Sequence, residues 1–383
     1  MNARRTTTRR APVRRDAALA LGLLSGAIAL ISPVGIAGGL PGEPAVLAAW
    51  LLTLAAMALL FLRPLSVTAA AIVATGAAVL GGAALHGLMM AGAHGLAAPA
   101  LWFGLVALGF LVWRALDRVS LAATRLPGAI GGAVAPVLLG VWLLYLWEML
   151  VVGFDVPAVL LPPPSAIGHA IVTSLPMLGV DFVQTFIRAV IPGFVIGSAA
   201  GFLTGVLVDR VPFLQRGLLP VGNLVSALPI IGIAPIMVMW FGFDWQSKAA
   251  VVVVMTFFPM LVNTIAGLAA LGRIEHDMMA TYAASYRQTL WMARLPAALP
   301  FLFNALKVNS TLALIGAIVA EFFGTPIIGM GFRISTEVGR MNIPMVWATI
   351  AVAAVAGSAS YGLLALAERW MTFWHPSFRK ASS

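Results

Sequence analysis

The sequence predicts an all-α, polytopic membrane protein, and three observations carry that prediction. Hydrophobic residues make up 61% of the 383 and charged residues only 9%, against roughly 25% charged in a soluble domain. The apolar stretches are continuous rather than alternating, which suits helices in lipid and not barrel strands. Many reach the roughly 20 residues that a helix rising about 1.5 Å per residue needs to cross a hydrocarbon core about 30 Å thick. There is no cysteine, so disulfides, thiolate metal sites and cysteine nucleophiles are excluded.

Ten spans are expected in order, with ends uncertain by about four residues. The first, 17 to 37, follows the arginine-rich tail 1–16. Its apolar run is long and lacks a small-x-small cleavage site, so it is expected to be a retained span and not a cleaved signal. Spans at 45 to 62, 66 to 85 and 97 to 113 are rich in Ala, Gly and Leu and nearly free of polar side chains. The basic stretch RALDRVSLAATRLPG, 114–128, then reads as a linker before a fifth span at 129 to 153. Residues 154–181 are apolar but interrupted by prolines, which fits a loop with a short interfacial helix. The remaining spans fall at 182 to 208, 217 to 241, 249 to 270, 299 to 322 and 345 to 367, where Pro, Asn, Asp and Glu enter or border the apolar runs. Intramembrane polar residues mark function by default. The chain therefore divides into a tail (1–16), a four-helix extension (17–113), a linker (114–128), a working domain (129–370) and a second tail (371–383).

The formal charge of +10 reports orientation. With the amino terminus placed in the cytoplasm, all 23 lysines and arginines fall inside except Lys248, Arg333 and Arg340 outside and Arg188 and Lys307 within spans or at their ends. That asymmetry is the positive-inside rule, and it accounts for the charge without nucleic acid. Both termini are then cytoplasmic.

Between the eighth and ninth spans lies DMMATYAASYRQTLWMARLPAALP, 277 to 300, unusually polar for this chain. Met279, Tyr282, Tyr286, Leu290 and Ala293 recur at helical spacing and predict one amphipathic helix, with Leu295-Pro296 ending it before the next span. Such a helix lies on the membrane face or docks into a partner's groove.

The stretch resembles the cytoplasmic signature loop of ABC importer permeases, a Glu-Ala-Ala, three residues, Gly, nine residues, Ile-x-Leu-Pro pattern. The glutamate position falls on Asp277, the alanines on Met278 and Met279, the glycine on Ala283, the isoleucine on Ala293 and the closing pair on Leu295 and Pro296. LPPPSAI (161–167), ALPIIGIAPIMVMWFG (227–242), TFFPMLVNTIAGL (256–268) and IVAEFFGTPIIGMGF (318–332) resemble, in order, segments of the nitrate/sulfonate/taurine branch of these permeases. The resemblance implies a type I importer core of six helices after the four-helix extension. It also implies a coupling helix built from Asp277, Met279, Tyr282, Ala283, Ala284, Tyr286, Leu295 and Pro296 that seats in a cytoplasmic ABC ATPase subunit. An extracytoplasmic substrate-binding protein, a permease homodimer and a bacterial inner-membrane location are implied with it. ATP and Mg would sit on the ATPase, since this chain has no Walker-type loop, and the solute would be small, nitrate-, sulfonate- or taurine-like or a vitamin precursor.

Other residues carry two readings each. Gly193, Gly197, Gly201 and Gly205 make a small-residue face, for internal packing or a homodimer seam. Trp240, Asn309 and Glu321 are candidates for the translocation pathway. The structural alternatives are an aromatic belt, interhelical hydrogen bonding, and a carboxylate reaching Arg333 or Arg340. Glu148 is expected to pair likewise, and Asp181 with Arg188. The five histidines show no metal-ligand spacing. A self-contained secondary transporter would want two related halves with matched polar interruptions, which the first four spans lack. An intramembrane enzyme would need a working constellation absent here.

Overall fold

The computed structural model describes residues 17–32, 44–62, 65–92, 95, 98–123, 128–211, 213–214, 217, 229–324 and 327–374. Both expected tails, apart from residues 371–374, and residues 218–228 of the expected seventh span lie outside the described residues. Among the described residues every regular element is a helix. Seven helical stretches are long and apolar enough to cross a membrane, and three shorter apolar helices accompany them. The chain forms two compact units, Met1–Ala166 and Ile167–Ser383.

The first unit holds α1 (Ala17–Ile31), α2 (Pro44–Leu62), α3 (Val67–Met90), α4 (Pro99–Ala123) and α5 (Gly128–Gly153). Leu19, Met57, Leu85, Leu101, Leu108 and Met149 fill its core. Its few polar groups return their hydrogens to backbone carbonyls: Ser25 Oγ donates to Phe103 O at 2.8 Å and Thr53 Oγ1 to Ala49 O at 2.8 Å. Lipid offers them no other partner. α4 runs on past the expected end at 113, so the first part of the expected 114–128 linker is helix. Arg114 and Asp117 form an i,i+3 ion pair there at 2.9 Å.

The second unit opens with α6 (Pro164–Thr173), whose first turn contains the unit boundary. There follow α7 (Leu175–Phe182), a π-helical segment π1 (Val183–Val190), α8 (Ile191–Arg210), α9 (Ile230–Phe241) and α10 (Trp245–Ala269). Next come α11 (Arg273–Thr281), α12 (Tyr286–Thr289), π2 (Leu290–Arg294), α13 (Leu295–Glu321), α14 (Met330–Gly339) and α15 (Ile343–Met371). α10 is central, packed between α8 and α13.

Two continuous 36-residue stretches, Leu175–Arg210 and Tyr286–Glu321, share one device. In each a π segment runs directly into an X-Pro pair, Ile191-Pro192 or Leu295-Pro296. Proline lacks an N–H and its ring clashes with the carbonyl four residues back. Widening the preceding turn to an i→i−5 bond, Ile191 N–H to Phe186 O and Leu295 N–H to Leu290 O, lets the helix continue. Two expectations are corrected by this. Leu295-Pro296 does not end a helix, and the sixth span begins near Leu175 instead of 182, leaving a shorter interfacial segment.

The glycine face of α8 lies against α10. A methyl group at Gly193 would sit 2.6 Å from Val252 Cβ, and one at Gly205 2.7 Å from Thr264 Cβ, while Gly197 and Gly201 meet α10 backbone directly. The four glycines are thus consumed by packing within the unit, the internal reading of the two, and the homodimer-seam alternative does not hold. Asn309 on α13 donates to Ser198 Oγ on α8 at 3.0 Å and to Thr256 O on α10 at 2.8 Å, stitching the three helices together.

Candidate functional site

The 271–289 loop is the most exposed structured part of the second unit. No residue of α11 is buried. Ile274, Met278 and Tyr282, spaced i, i+4, i+8, are 82%, 51% and 79% exposed, so one apolar stripe of a short helix is offered to the surroundings. α11 ends in a Schellman arrangement, Ala284 N–H to Met279 O and Ala283 N–H to Ala280 O. This places Ala283 at φ 50°, the left-handed region that glycine enters without cost. A second helix then starts on a capping box: Ser285 Oγ accepts from Gln288 N–H, and the Gln288 side chain accepts from Ser285 N–H.

This break corrects the single continuous helix expected over 277–295. The apolar stripe of the free helix is Ile274, Met278 and Tyr282, while Met279 is half-buried and Tyr286 turns back toward the helical core. Tyr286 OH donates to Asp209 Oδ2 at 3.3 Å, and the Arg210 guanidinium lies 5.3 Å over its ring.

One clamp ties the loop to the helices. Arg294 grips Asp209 at the end of α8 in a two-pronged pair, 2.7 and 2.8 Å, and its Nε donates to Leu268 O near the end of α10 at 3.0 Å. The fork geometry of guanidinium on carboxylate fixes direction as well as distance. Three elements, α8, α10 and π2, therefore meet at one arginine just below the loop.

At the far end of α13 the polar groups are enclosed. Glu321, 3% exposed, accepts from Thr185 Oγ1 at 2.8 Å and from Gly331 N–H at 2.6 Å. Thr185 Oγ1 accepts from Met330 N–H at 2.7 Å, and Asp181 accepts from Gly329 N–H at 2.8 Å and Arg333 Nε at 2.8 Å. The amino-terminal N–H groups of α14, which no helix can satisfy internally, are thus taken up by side chains of α7, π1 and α13. Gly329 has φ 135° with its missing Cβ facing the Glu321 carboxylate, so only glycine permits the approach. The expected pairs are corrected accordingly. Asp181 pairs with Arg333; Arg188 bonds Gln184 at 3.1 Å; Glu321 meets neither Arg333 nor Arg340; and Glu148 accepts from Ser165 N–H and Oγ at 2.9 and 2.6 Å.

Residues 193–373, from α8 to just past α15, match the family described as binding-protein-dependent transport system inner membrane component. The riboflavin transport system permease protein RibX of Chloroflexus aurantiacus is 29% identical over 61% of this chain and 88% of its own. The formylaminopyrimidine transport permease protein ThiX of Halalkalibacterium halodurans is 29% identical over 63% and 96%. The taurine transport system permease protein TauC of Escherichia coli is 27% identical over 62% and 87%. These matches support an ABC importer permease of the nitrate/sulfonate/taurine type.

The matched region contains the loop, its clamp, α14 and the glycine seam, and leaves α1 to α5 outside it. Trp240, at the end of α9, is 71% exposed, whereas Asn309 and Glu321 are buried among helices. The structure brings Tyr286 and Arg294 together on Asp209 and separates them from Trp240, Asn309 and Glu321. Sequence reasoning missed Ile274, Asp209, Thr185 and the Arg294 clamp. The Ser285-x-x-Gln288 box was the available signal for the loop's break.

Proposed function

We propose that this permease passes a small solute across the inner membrane as a dimer of two copies, driven by a cytoplasmic ABC ATPase that seats α11. An extracytoplasmic binding protein delivers the solute, and ATP and Mg belong to the ATPase. The observation that carries the reading is the contrast in the 271–289 loop: a helix with no buried residue and an apolar stripe, held at its base by the Arg294–Asp209 pair. An amphipathic helix with one exposed apolar stripe is suited to a groove. A bidentate pair between π2 and α8 passes its displacement to the spans instead of letting it dissipate in a flexible loop.

Asp277, Met279, Tyr282, Ala283, Ala284 and Tyr286 form or flank the docking element, with Ile274 and Met278 added to its face. Leu295 and Pro296 belong to the span it moves. Trp240 is proposed on the pathway side. In the present conformation Asn309 and Glu321 are closing contacts between helices, and they reach the pathway only if those helices separate. Charge asymmetry supports cytoplasmic termini and loop. The relatives' transport of riboflavin, formylaminopyrimidine and taurine supports a small organic solute, a vitamin or a pyrimidine first and a sulfonate such as taurine second.

The test is purification of the tagged chain from native membranes in mild detergent, with Met278→Glu alongside. The expected result is an ABC ATPase subunit with the parent and its loss with the variant at unchanged yield. A chain that runs without an ATPase in both cases would contradict the reading and favour a self-contained transporter.

A further inference from the structure

The first unit contains a groove lined by none of the residues proposed for docking or for the pathway. It lies between α3, α4 and α5, with a volume of about 660 Å³ and almost wholly apolar walls. It exists because small residues of α3, among them Ala78, Gly82 and Ala83, face the large Trp142 and Tyr145 of α5. Tyr145 OH donates to Gly82 O at 2.9 Å and closes its floor. α3 and α5 run in the same direction, so the groove has two distinct ends. At one end lie Thr75 and Leu138; at the other, near Met90 and Gly153, lie His86, Glu148 and Ser165.

From Thr75 to His86 the helical rise is about 16 Å. Half of a hydrocarbon core roughly 30 Å thick is about 15 Å, so the groove is about one leaflet long, with its polar mouth toward the membrane surface and its other end near the midplane. A partner helix would need a groove crossing both leaflets; a single lipid needs one. His86 is exposed at that mouth, the last polar side chain of α3 before its end at Met90. Glu148 uses one acceptor position on each oxygen for Ser165, and a carboxylate has about four.

We propose that this groove holds one phospholipid with a primary-amine headgroup. Its acyl chain would lie along Ala78, Gly82 and Trp142, its ammonium donating to Glu148 and its phosphate accepting from His86. A carboxylate and an imidazole at one mouth complement a zwitterion, and the carboxylate disfavours a headgroup bearing only negative charge.

The test uses the full chain, delipidated and reloaded from mixed micelles holding equal amounts of phosphatidylethanolamine, phosphatidylcholine and phosphatidylglycerol with identical acyl chains, and read by native mass spectrometry. The expected result is one retained lipid per chain, with phosphatidylethanolamine favoured at least fivefold. Glu148→Gln should abolish the preference while a lipid is still retained. Ala83→Trp, which fills the groove from an exposed position, should reduce retention several-fold at unchanged helicity. Equal retention of the three lipids, a preference that survives Glu148→Gln, or retention unaffected by Ala83→Trp would each overturn the proposal. So would a polypeptide crosslinked to photoreactive groups at Val79 and Leu144 in place of lipid.

Discussion

The two ends of α13 are built on opposite plans. At the Leu295 end the chain arrives from a loop whose short helix has no fully buried residue and whose links to the helices are the Arg294 fork on Asp209 and the Tyr286 contacts with Asp209 and Arg210. At the Glu321 end two carboxylates and a threonine accept the first N–H groups of α14, and Arg333 donates to one of those carboxylates, with scarcely any exposure. One end leaves apolar surface available to a partner, while at the other Asp181, Thr185, Glu321 and Arg333 are already paired with one another or with the α14 backbone. Substitutions at the enclosed end should therefore be felt as lost folding stability, and substitutions at the open end as lost association.

The largest effect is expected at Glu321. Glu321→Leu leaves Thr185 and the Gly331 N–H without their acceptor, and breaking a buried charged network by removing one member costs about 3–5 kcal/mol. Thermal unfolding in detergent should shift downward accordingly. Gly201→Val comes next: its methyls would enter the α10 backbone at Phe257, and overpacking costs about 1–3 kcal/mol, read by the same melt. Asp209→Asn should cost a similar amount, at most about 1.5–3 kcal/mol for charge-assisted bonds. It should also lower solute-stimulated ATP hydrolysis in reconstituted vesicles more than it lowers the melt. Met278→Glu should stay within about 0.5 kcal/mol of the parent's stability while weakening ATPase association at least tenfold. Ala283→Gly has the smallest and opposite effect. Relieving a left-handed alanine should stabilise the loop by about 1 kcal/mol or less, seen as slower amide exchange at 279–284.

The spans were legible because hydrophobicity accumulates over many residues: among the described residues each expected span overlaps a helix in the same order, seven of the helical stretches being long enough to cross and the seventh expected span described as a helix only over 230–241. What failed was local. Periodicity carried the stripe from Met279 through Tyr286 to Ala293, but a single left-handed residue, Ala283, resets the register, and no hydrophobic pattern registers a backbone angle. Pro296 read as a stop because proline usually is one, and the π turn that absorbs it leaves no mark in composition. The Asp181–Arg333 pair joins residues 152 apart, a contact that only the folded chain creates, so the nearer Arg188 looked the better partner. The glycine face of α8 was visible as a face, yet what it packs against could be read only from α10 lying on it.

The most direct test of the contrast is amide hydrogen exchange on the permease in lipid nanodiscs, with and without the ATPase. The account predicts that ATPase binding slows exchange at residues 273–284 and leaves the hydrogen-bonded 329–333 turn unchanged. Protection confined to 329–333, or none at 273–284 at saturating ATPase, would contradict it.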